Sequence, residues 1–233
     1  METARIIEVF PSIQGEGIYV GRPHLFVRFW NCNMACHSCD TDYRGPYQEY
    51  RSDQLLAEVR DSIQAKGPFH AVSLTGGEPL LWSKFLTGWL PRLKELGQRS
   101  YLETNGTLVS PLRELLPWID IIAMDLKPPS ATADREVWSE HDAFLRAAHD
   151  AGRKIFVKIV VTSKTEDEEV QQACRLVAAV DAEVPVVLQP VTPWGAVREP
   201  PSEQQLSRWF QWAAGALADV RILPQVHRLL GVR

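Results

Sequence analysis

Three cysteines lie within a short stretch of the chain, at Cys32, Cys36 and Cys39, with the spacing Cys-x3-Cys-x2-Cys. Three closely spaced thiolates can bind three irons of a [4Fe–4S] cubane and leave the fourth iron open to a small molecule. A closed zinc site takes four ligands, and an electron-carrying cubane takes four cysteines. Because soft thiolates suit zinc, copper(I) and iron–sulfur clusters alike, the spacing alone leaves open a zinc knuckle completed by His37 or Asp40.

The remaining cysteine, Cys174, lies in a stretch that is predicted to be helical over Glu166–Val180. Free cysteine is among the most buried residue types, so we expect Cys174 to be a small core residue. A set of four cysteines with three clustered is typical of a metal site in a reducing compartment and not of a disulfide framework. The sequence therefore predicts a cytoplasmic protein.

Length and composition predict one domain that spans residues 1–233 and is large enough to bury a substantial core. The hydrophobic content of 45% and the charged content of 23% are ordinary for a globular protein. The net charge of −4 gives no general reason to expect nucleic-acid binding. The longest apolar runs fall short of the roughly 20 residues that cross a bilayer, and the N-terminus carries acids where a secretory signal has an apolar region.

Apolar, β-branched runs alternate along the chain with amphipathic helical stretches. This alternation predicts βαβ units and a mainly parallel sheet, and near-continuous apolar runs indicate strands that are covered on both faces. We therefore predict an α/β fold, a partial, open parallel α/β barrel. The predicted strands are Arg5–Val9, Leu25–Trp30, Ala71–Thr75, Ser100–Glu103, Ile119–Met124, Ile155–Val161, Pro185–Leu188 and Val220–Leu223, and the predicted helices are Ser52–Lys66 with Ser52 as N-cap, Lys84–Leu96, Asp134–Asp150, Glu166–Val180 and Ser202–Leu217.

Polar or glycine-rich segments follow most of these strands. In parallel barrels the chemistry lies at the C-terminal ends of the strands, so we expect these segments to meet there. Neither Gly76 nor Gly77 has a Cβ, which lets the backbone approach a ligand closely. The segments are the cysteine loop, Thr75–Pro79, Glu103–Gly106, Asp125–Ser130, Gln189-Pro190 and the region of His227.

The cysteine spacing, followed by Gly76-Gly77-Glu78-Pro79, resembles the signature of the radical S-adenosylmethionine (SAM) enzymes. The resemblance implies a [4Fe–4S] cluster on the three cysteines and a SAM molecule on the open iron. It also implies that Gly77 and Glu78 hold the SAM amino group, that Lys127 and Ser130 hold its carboxylate, and that the remaining matching positions lie along the nucleoside. The implied SAM-binding positions are Ser38, Asp40, Gly77, Glu78, Asp125, Lys127, Ser130, Gln189 and Pro190.

One position departs from the pattern of that family. Ser38 stands where an aromatic residue usually precedes the third cysteine. The change keeps a backbone contact to the adenine but removes the contribution of the ring.

Three further segments resemble one branch of these enzymes, the 7-carboxy-7-deazaguanine synthase family. They are Ser12-x-Gln14-Gly15-Glu16-Gly17, Cys39-Asp40-Thr41 and Gln225-x-His227. The resemblance implies the substrate 6-carboxy-5,6,7,8-tetrahydropterin, a radical ring contraction with loss of ammonia, and Mg2+ bound by Thr41. It places the substrate against Ile13, Gln14, Gly15, Glu16, Arg28, Thr75, His227 and the C-terminal carboxylate of Arg233.

The residue types suit that substrate. Arg28 can grip a carboxylate with two N–H groups, Glu16 can accept from ring N–H groups, and the Gln14 amide can both donate and accept. A buried arginine without a partner is costly, so Arg28 needs an anion. The hydroxyl of Thr41 is a hard oxygen ligand that suits Mg2+.

The resemblance also implies partners, namely a reductant such as flavodoxin or ferredoxin and a second copy in a homodimer, with neither direct nucleic-acid contact nor a membrane. Three alternatives stay open. The chain could be another small radical SAM enzyme such as a glycyl-radical activase, a zinc-stabilised interaction domain, or a simple electron carrier.

Overall fold

The computed structural model describes residues 2–37, 39, 41–132, 135–193 and 199–232. Within them, nine strands form one sheet, in which neighbouring strands follow the spatial order β3-β1-β2-β4-β5-β6-β7-β8-β9. From β2 to β9 all neighbours are parallel, whereas β1 runs antiparallel to both β2 and β3. The strands are β1 (Thr3–Ile13), β2 (Pro23–Phe29), β3 (Gln48–Arg51), β4 (Ala71–Gly76), β5 (Ser100–Thr104), β6 (Ile121–Leu126), β7 (Lys154–Val161), β8 (Val186–Pro190) and β9 (Val220–Ile222).

Most of the helices cover the outer face of the sheet. They bury apolar residues against it in a continuous core that reaches from Ala4 to Leu217. The helices are α1 (Ser52–Lys66), α2 (Ser83–Glu95), α3 (Val109–Leu115), α4 (Pro129–Thr132), α5 (Trp138–Asp150), α6 (Asp167–Ala178), α7 (Glu203–Ala216) and α8 (Val226–Leu230), with short 3-10 turns at Gly17–Tyr19, Pro79–Trp82 and Leu116–Trp118.

Helix α6 illustrates why these stretches are helical. Glu166 caps its N-terminus and forms a reciprocal capping box with Glu169, and acidic residues in the first turn favour the positive end of the helix dipole. Its buried residues recur at helical spacing and include Cys174. Burial raises the pKa of the Cys174 thiol to about 11. The prediction that Cys174 is a core residue is confirmed.

The predicted strands and helices are all present, with shifts of a few residues at their ends. The third predicted helix begins at Trp138, and Asp134, the predicted start, lies outside the described residues. The N-cap of α1 is Arg51, so the assignment to Ser52 was wrong by one position. The Ser52 hydroxyl instead accepts a hydrogen bond from Arg92 at 3.0 Å.

The sheet curves into a partial barrel. Strands β1 and β7 lie five places apart in the strand order, which would separate them by roughly 24 Å in a flat sheet with strands about 4.8 Å apart. Yet Glu16, three residues after the end of β1, forms an ion pair with Lys158 of β7 at 2.5 Å. The sheet ends at β3 on one side and β9 on the other, so the barrel is open, as predicted.

The inner face of the barrel has an apolar floor and a polar upper layer. The floor is a second hydrophobic cluster of Ala71, Tyr101, Ile121, Ala123 and Phe156, with Ile18 and Tyr19 packed against it. Because alternate residues of a strand face the same side, the position two residues after each floor residue points into the space above. On β5, β6 and β7 these positions carry charges, at Glu103, Asp125 and Lys158.

A histidine pair lies at the N-terminal end of the strands, on the far side of the floor. The ring of His24 is fully buried, with Nδ1 at 2.7 Å from the hydroxyl of Ser73 and Nε2 at 3.1 Å from Nδ1 of His70. Burial and the neighbouring His70 lower the pKa of His24 to about 3. The imidazole is therefore neutral in the folded protein across the ordinary pH range.

None of the helices in the described part of the chain has the length and apolar character to cross a bilayer.

Candidate active site

A cavity of about 360 Å3 opens at the C-terminal ends of the strands, a volume within the usual range of small-molecule sites. It lies where the sequence predicts the chemistry. The predicted residues that line it are Ile13, Gln14, Gly15, Glu16, Arg28, Cys32, Cys36, Cys39, Thr41, Thr75, Gly77, Asp125, Lys127, Gln189 and His227.

The cysteine loop follows β2 and is held by its own backbone. The amide of Cys39 donates to the carbonyl of Cys36 at 3.2 Å, and the amide of Asn31 donates to the carbonyl of Tyr43 at 2.8 Å. The amide of Met34 donates to the sulfur of Cys32 at 3.4 Å. The loop therefore brings three cysteines that form no disulfide to the wall of one cavity.

This donor set fits a cubane. Among the described residues, no three His, Cys, Asp or Glu side chains come together as ligands of a single metal ion. Three cysteines that each bind a different iron have no need to converge in that way. Burial raises the pKa of the Cys32 thiol, and metal ligation would supply the thiolate that the free protein disfavours.

The glycine pair brings the loop after β4 against the chain just before Cys32. The amide of Gly77 donates to Phe29 O at 3.0 Å, and the amide of Glu78 donates to Asn31 O at 2.8 Å. A Cβ on Gly77 would lie 1.7 Å from that same carbonyl oxygen of Asn31. Only glycine allows this approach, so Gly77 sets the position of the cysteine loop besides lining the cavity.

Glu78 faces the protein interior instead of the cavity. Its fully buried carboxylate accepts from the amide of Leu80 at 3.0 Å, the hydroxyl of Thr104 at 2.9 Å and the amide of Asn105 at 2.9 Å. Burial raises its pKa to about 7. In this position Glu78 ties the loop after β4 to the loop after β5.

Lys158 is the centre of the charged layer above the floor. Its Nζ lies 2.5 Å from Glu16 and 2.8 Å from Asp125, while Asp125 also pairs with Lys127 at 3.2 Å. Burial works against the charge on Lys158, but Asp125, Glu16 and Glu103 outweigh it and raise its pKa well above the usual range. In turn, Lys158 overcomes the effect of burial on Asp125 and keeps the pKa of that carboxyl low.

Two of the predicted substrate contacts are anchored to Glu103. The side-chain Nε2 of Gln14 donates to one carboxylate oxygen of Glu103 at 2.8 Å, and the Thr75 hydroxyl donates to the other oxygen at 2.5 Å. The Gln14 carbonyl oxygen accepts from the amide of Glu16 at 3.0 Å. Burial raises the pKa of Glu103 although Lys158 lies nearby. Gln14 and Thr75 are therefore held in one orientation at the cavity wall.

Arg28 has the anionic partner that the sequence required, supplied by the protein itself. Its Nε donates to Glu8 at 2.8 Å, its Nη1 donates to the Thr41 hydroxyl at 3.3 Å, and its guanidinium lies over the ring of Phe10. Arg28 thus links strand β1 to the end of the cysteine loop.

The C-terminal helix α8 closes over the segment that follows β1. The amide of Val226 donates to the carbonyl of Gly15 at 2.9 Å, and Gln225 donates to the second oxygen of Glu16 at 2.9 Å. A Cβ on Gly15 would lie 2.3 Å from Nδ1 of His227. His227 therefore packs on Gly15.

Gln189 offers an unused hydrogen-bond acceptor. Its side chain is 4% exposed and its amide oxygen is buried without a hydrogen-bond partner among the described residues. Buried polar atoms are nearly always paired, so a donor from a bound molecule is the natural partner. This fits a nucleoside in the cavity.

Some predicted cofactor contacts lie elsewhere. Ser130 donates both its amide, at 2.9 Å, and its hydroxyl to Glu169 of α6, and neither Ser130 nor Pro190 lines the cavity. Ser38, Asp40 and Arg233 lie outside the described residues.

Several residues of the site had no role predicted from the sequence, although Glu103 and Asn105 were expected at this end of the strands. Lys158 and Glu103 form the charged layer, Glu8 pairs with Arg28, and Asn105 lines the cavity beside Cys32. Lys158 had a visible signal, because it is the one charged residue inside the apolar run Ile155–Val161. A lysine in a buried strand must have carboxylate partners, and that argument would have found the layer.

The fold is an open α/β barrel, and a three-cysteine loop and a Gly-Gly pair lie at the mouth of its cavity. These features define a radical SAM protein, and residues 29–177, more than half of the chain, match the Radical SAM superfamily model. A 7-carboxy-7-deazaguanine synthase of Geobacter sulfurreducens is 37% identical over 98% of this chain and 97% of its own. The synthase of Methanothermobacter thermautotrophicus is 34% identical over 99% and 98%. The chain belongs to the 7-carboxy-7-deazaguanine synthase family.

A solved structure supports the fold. The crystal structure of QueE from Escherichia coli superposes with a TM-score of 0.65 and 20% sequence identity, over 97% of this chain and 95% of that one. The two cofactors of the family are a [4Fe–4S] cluster and SAM, and the zinc domain and the simple electron carrier are thereby set aside.

Proposed function

We propose that this enzyme converts 6-carboxy-5,6,7,8-tetrahydropterin to 7-carboxy-7-deazaguanine with loss of ammonia, and that Cys32, Cys36 and Cys39 hold its cluster. One observation carries the proposal. The three thiols, the Gly76-Gly77 loop and a layer of fixed polar groups line the same cavity. A cofactor and a small polar substrate would therefore meet there.

The cofactors would supply the hard chemistry. The reduced cluster and SAM, when bound, provide a one-electron reaction that ends in removal of a hydrogen atom from carbon. Lys127 lies on the cavity wall with Cys36 and Cys39 close enough to influence its charge, which suits it to the SAM carboxylate. Gln189 presents its unpaired amide oxygen to the nucleoside.

The substrate would be bound by the groups on the β1 side of the cavity. Arg28 would meet its carboxylate, and the adjacent Thr41 hydroxyl would hold Mg2+, whose hard charge suits the oxygens of hydroxyl and carboxylate. The pterin ring carries several N–H donors, which suit the carboxylate of Glu16 and the amide of Gln14. His227 on α8 would close the pocket.

The charged layer would orient the substrate without taking part in the bond changes. Glu103 fixes Gln14 and Thr75 through hydrogen bonds at 2.8 and 2.5 Å, and Lys158 neutralises the carboxylates around it. Groups that are already oriented need no rearrangement when the substrate arrives. The apolar floor beneath them keeps water out of the lower part of the barrel.

We further propose that a low-potential carrier such as flavodoxin or ferredoxin supplies the electron, that the enzyme works as a homodimer, and that it works in the cytoplasm. Three cysteines beside one cavity that form no disulfide are typical of a reducing compartment.

The decisive test is anaerobic reconstitution with iron and sulfide, followed by incubation with SAM, dithionite, Mg2+ and the carboxypterin. We expect about four irons per chain, as for a cubane, and the deazaguanine product by mass spectrometry. Cys36→Ala should lose both, whereas Cys174→Ala, which removes the core cysteine, should keep both.

Full cluster content without product would refute the proposed substrate and leave another radical SAM reaction, such as activation of a glycyl-radical enzyme. Equal loss of iron in the two cysteine variants would refute the proposed ligands.

A further inference from the structure

All three asparagines of the chain lie at the cysteine loop. Asn31 directly precedes Cys32, Asn33 directly follows it, and Asn105 reaches it from the loop after β5. Asn31 suits its left-handed backbone position, with φ of 72°, whereas Asn33 and Asn105 have no such backbone requirement, and the proposed ligands do not include an amide. Two of the three amides have a defined arrangement around one sulfur.

Asn33, Asn105 and Thr107 form a closed ring of hydrogen bonds, called here the amide ring. Asn105 Nδ2 donates to Asn33 Oδ1 at 2.8 Å, and Asn33 Nδ2 donates to the Thr107 hydroxyl at 2.8 Å. That hydroxyl donates to Asn105 Oδ1 at 2.6 Å, and the Thr107 amide donates to the same oxygen at 3.2 Å. Thr107 thus fixes the oxygen of Asn105, and its nitrogen must face the other way.

The nitrogen faces Cys32. Asn105 Nδ2 lies 3.8 Å from Cys32 Sγ, which also accepts from the amide of Met34 at 3.4 Å. The Asn105 residue is 5% exposed, so water does not compete for its N–H group. Hydrogen bonds are electrostatically stronger in such an environment.

The backbone of Asn105 is held as firmly as its side chain. Its amide donates to the buried carboxylate of Glu78 at 2.9 Å, and its carbonyl lies 3.0 Å from Nε2 of His141, also a buried residue. Glu78 and His141 therefore act as supports for the amide. Nothing else in the mechanism uses either of these buried titratable groups.

We infer that Asn105 raises the reduction potential of the cluster by donating a hydrogen bond to the Cys32 thiolate. Hydrogen bonds to the sulfurs help to set the potentials of iron–sulfur clusters, because a donor stabilises the more electron-rich, reduced state. Asn105 is a positioning residue, and the amide ring fixes its direction. The inference rests on the proposed ligation of the cluster by Cys32.

Redox titration of the reconstituted enzyme, followed by electron paramagnetic resonance without SAM, tests this role. Asn105→Ala should shift the midpoint potential to a more negative value. Thr107→Val, which frees the amide, should shift it in the same direction, and Thr107→Ser, which keeps the hydroxyl, should restore the original potential. An unchanged potential in Asn105→Ala with full cluster content would overturn the inference.

A second measurement does not depend on the folding of Asn105→Ala. Labelling asparagine with 15N only at the side-chain amide places the label at three positions in the chain. Pulsed electron paramagnetic resonance of the reduced cluster then detects a labelled nitrogen that lies close to it. We expect a 15N coupling in the unaltered enzyme that survives Asn31→Gly, a control at a backbone position with φ of 72° that suits glycine. Where Asn105→Ala folds, the coupling should vanish.

The outcomes separate the two proposals. Absence of the 15N coupling from a fully loaded enzyme would overturn the role of Asn105 alone. Failure of the unaltered protein to bind iron and sulfide would instead refute the proposed ligation, and with it this inference.

Discussion

Replacement of Lys158 by methionine is the most informative test of the charged layer. Methionine nearly conserves the volume of the lysine stem, so the packing changes little. The loss is electrostatic, because Glu16 and Asp125 lose a cation at 2.5 and 2.8 Å and Glu103 loses the positive charge that opposes the effect of its burial.

The expected cost follows from the position of the layer. Removing one partner of a buried ion pair costs about 3–5 kcal/mol. One-fifth of the Asp125 and Glu16 side chains still reaches the water of the cavity, which favours the lower end of that range. We therefore expect the free energy of unfolding to fall by about 3 kcal/mol near pH 7.5.

The cost should depend on pH in a definite direction. In the unaltered protein Lys158 keeps the pKa of Asp125 low, so that pair stabilises the fold above pH about 4 and weakens as the pH falls. In the variant only Lys127 still opposes the effect of burial on Asp125, and the pKa of Glu103, already raised by burial, loses the lowering effect of Lys158. We expect both pKa values to be higher, so the contribution of these carboxyls to stability is present below pH about 4 and is lost as the pH rises. The difference between the two proteins should therefore widen from pH 5 to pH 7.5.

Urea unfolding of the metal-free, reduced proteins, followed by tryptophan fluorescence, would measure the difference at both pH values. Lys164→Met is the matched control, because Lys164 is an exposed lysine in the loop after β7 and its replacement should stay within about 0.5 kcal/mol. A loss below about 1 kcal/mol in Lys158→Met, or the same loss at both pH values, would show that Lys158 does not hold this layer together.

Three further outcomes are expected. Gly77→Ala should reduce iron incorporation to less than half, because its Cβ would lie 1.7 Å from Asn31 O. The control Gly88→Ala lies in open space on α2 and should keep the full iron content while raising the free energy of unfolding by up to about 1 kcal/mol. Equal iron contents in the two variants would contradict this reasoning. Because the pKa of His24 is about 3 in the folded protein, below pH about 6.5 the unfolded chain binds a proton at His24 that the folded protein does not, and the free energy of unfolding should fall by up to about 1.4 kcal/mol per pH unit. His24→Gln should flatten that slope in urea unfolding at several pH values. An unchanged slope would exclude His24 as its source. Arg28→Lys should raise KM for the carboxypterin about tenfold, a loss of about 1.4 kcal/mol for one N–H contact, with cluster content unchanged; a fall in kcat alone would point to a different role for Arg28.

The strands and long helices could be predicted because their apolar patterns are regular. Two of the elements that were missed lack such a pattern, whereas α3 (Val109–Leu115) was missed although it buries Leu112 and Leu115 at helical spacing. Strand β3 (Gln48–Arg51) buries only one of its four residues, and α8 (Val226–Leu230) buries none of its five. Both form because a neighbouring segment pairs with their backbone, and a single sequence carries no record of that neighbour.

The site shows the same division. Motif residues such as Cys32 and Gly77 could be identified from local spacing. Roles for Glu8, Glu103 and Asn105 could not be predicted, because each is defined by a partner elsewhere in the chain. Glu8 meets Arg28 through the register of β1 and β2, and the curvature of the sheet brings Gln14 to Glu103. Glu78 was recognised as part of a motif, but its inward direction depends on donors in another loop.

The aromatic rings of Tyr101, Phe156 and Tyr19, which contact one another edge-on or at a tilt, have a consequence for engineering. They fill the base of the barrel and do not contribute to its rim. The loops that select the substrate can therefore be exchanged while the packing of these rings stays intact. A library of variants changed only at rim positions would therefore sample new substrate specificities without destabilising the packed base of the barrel.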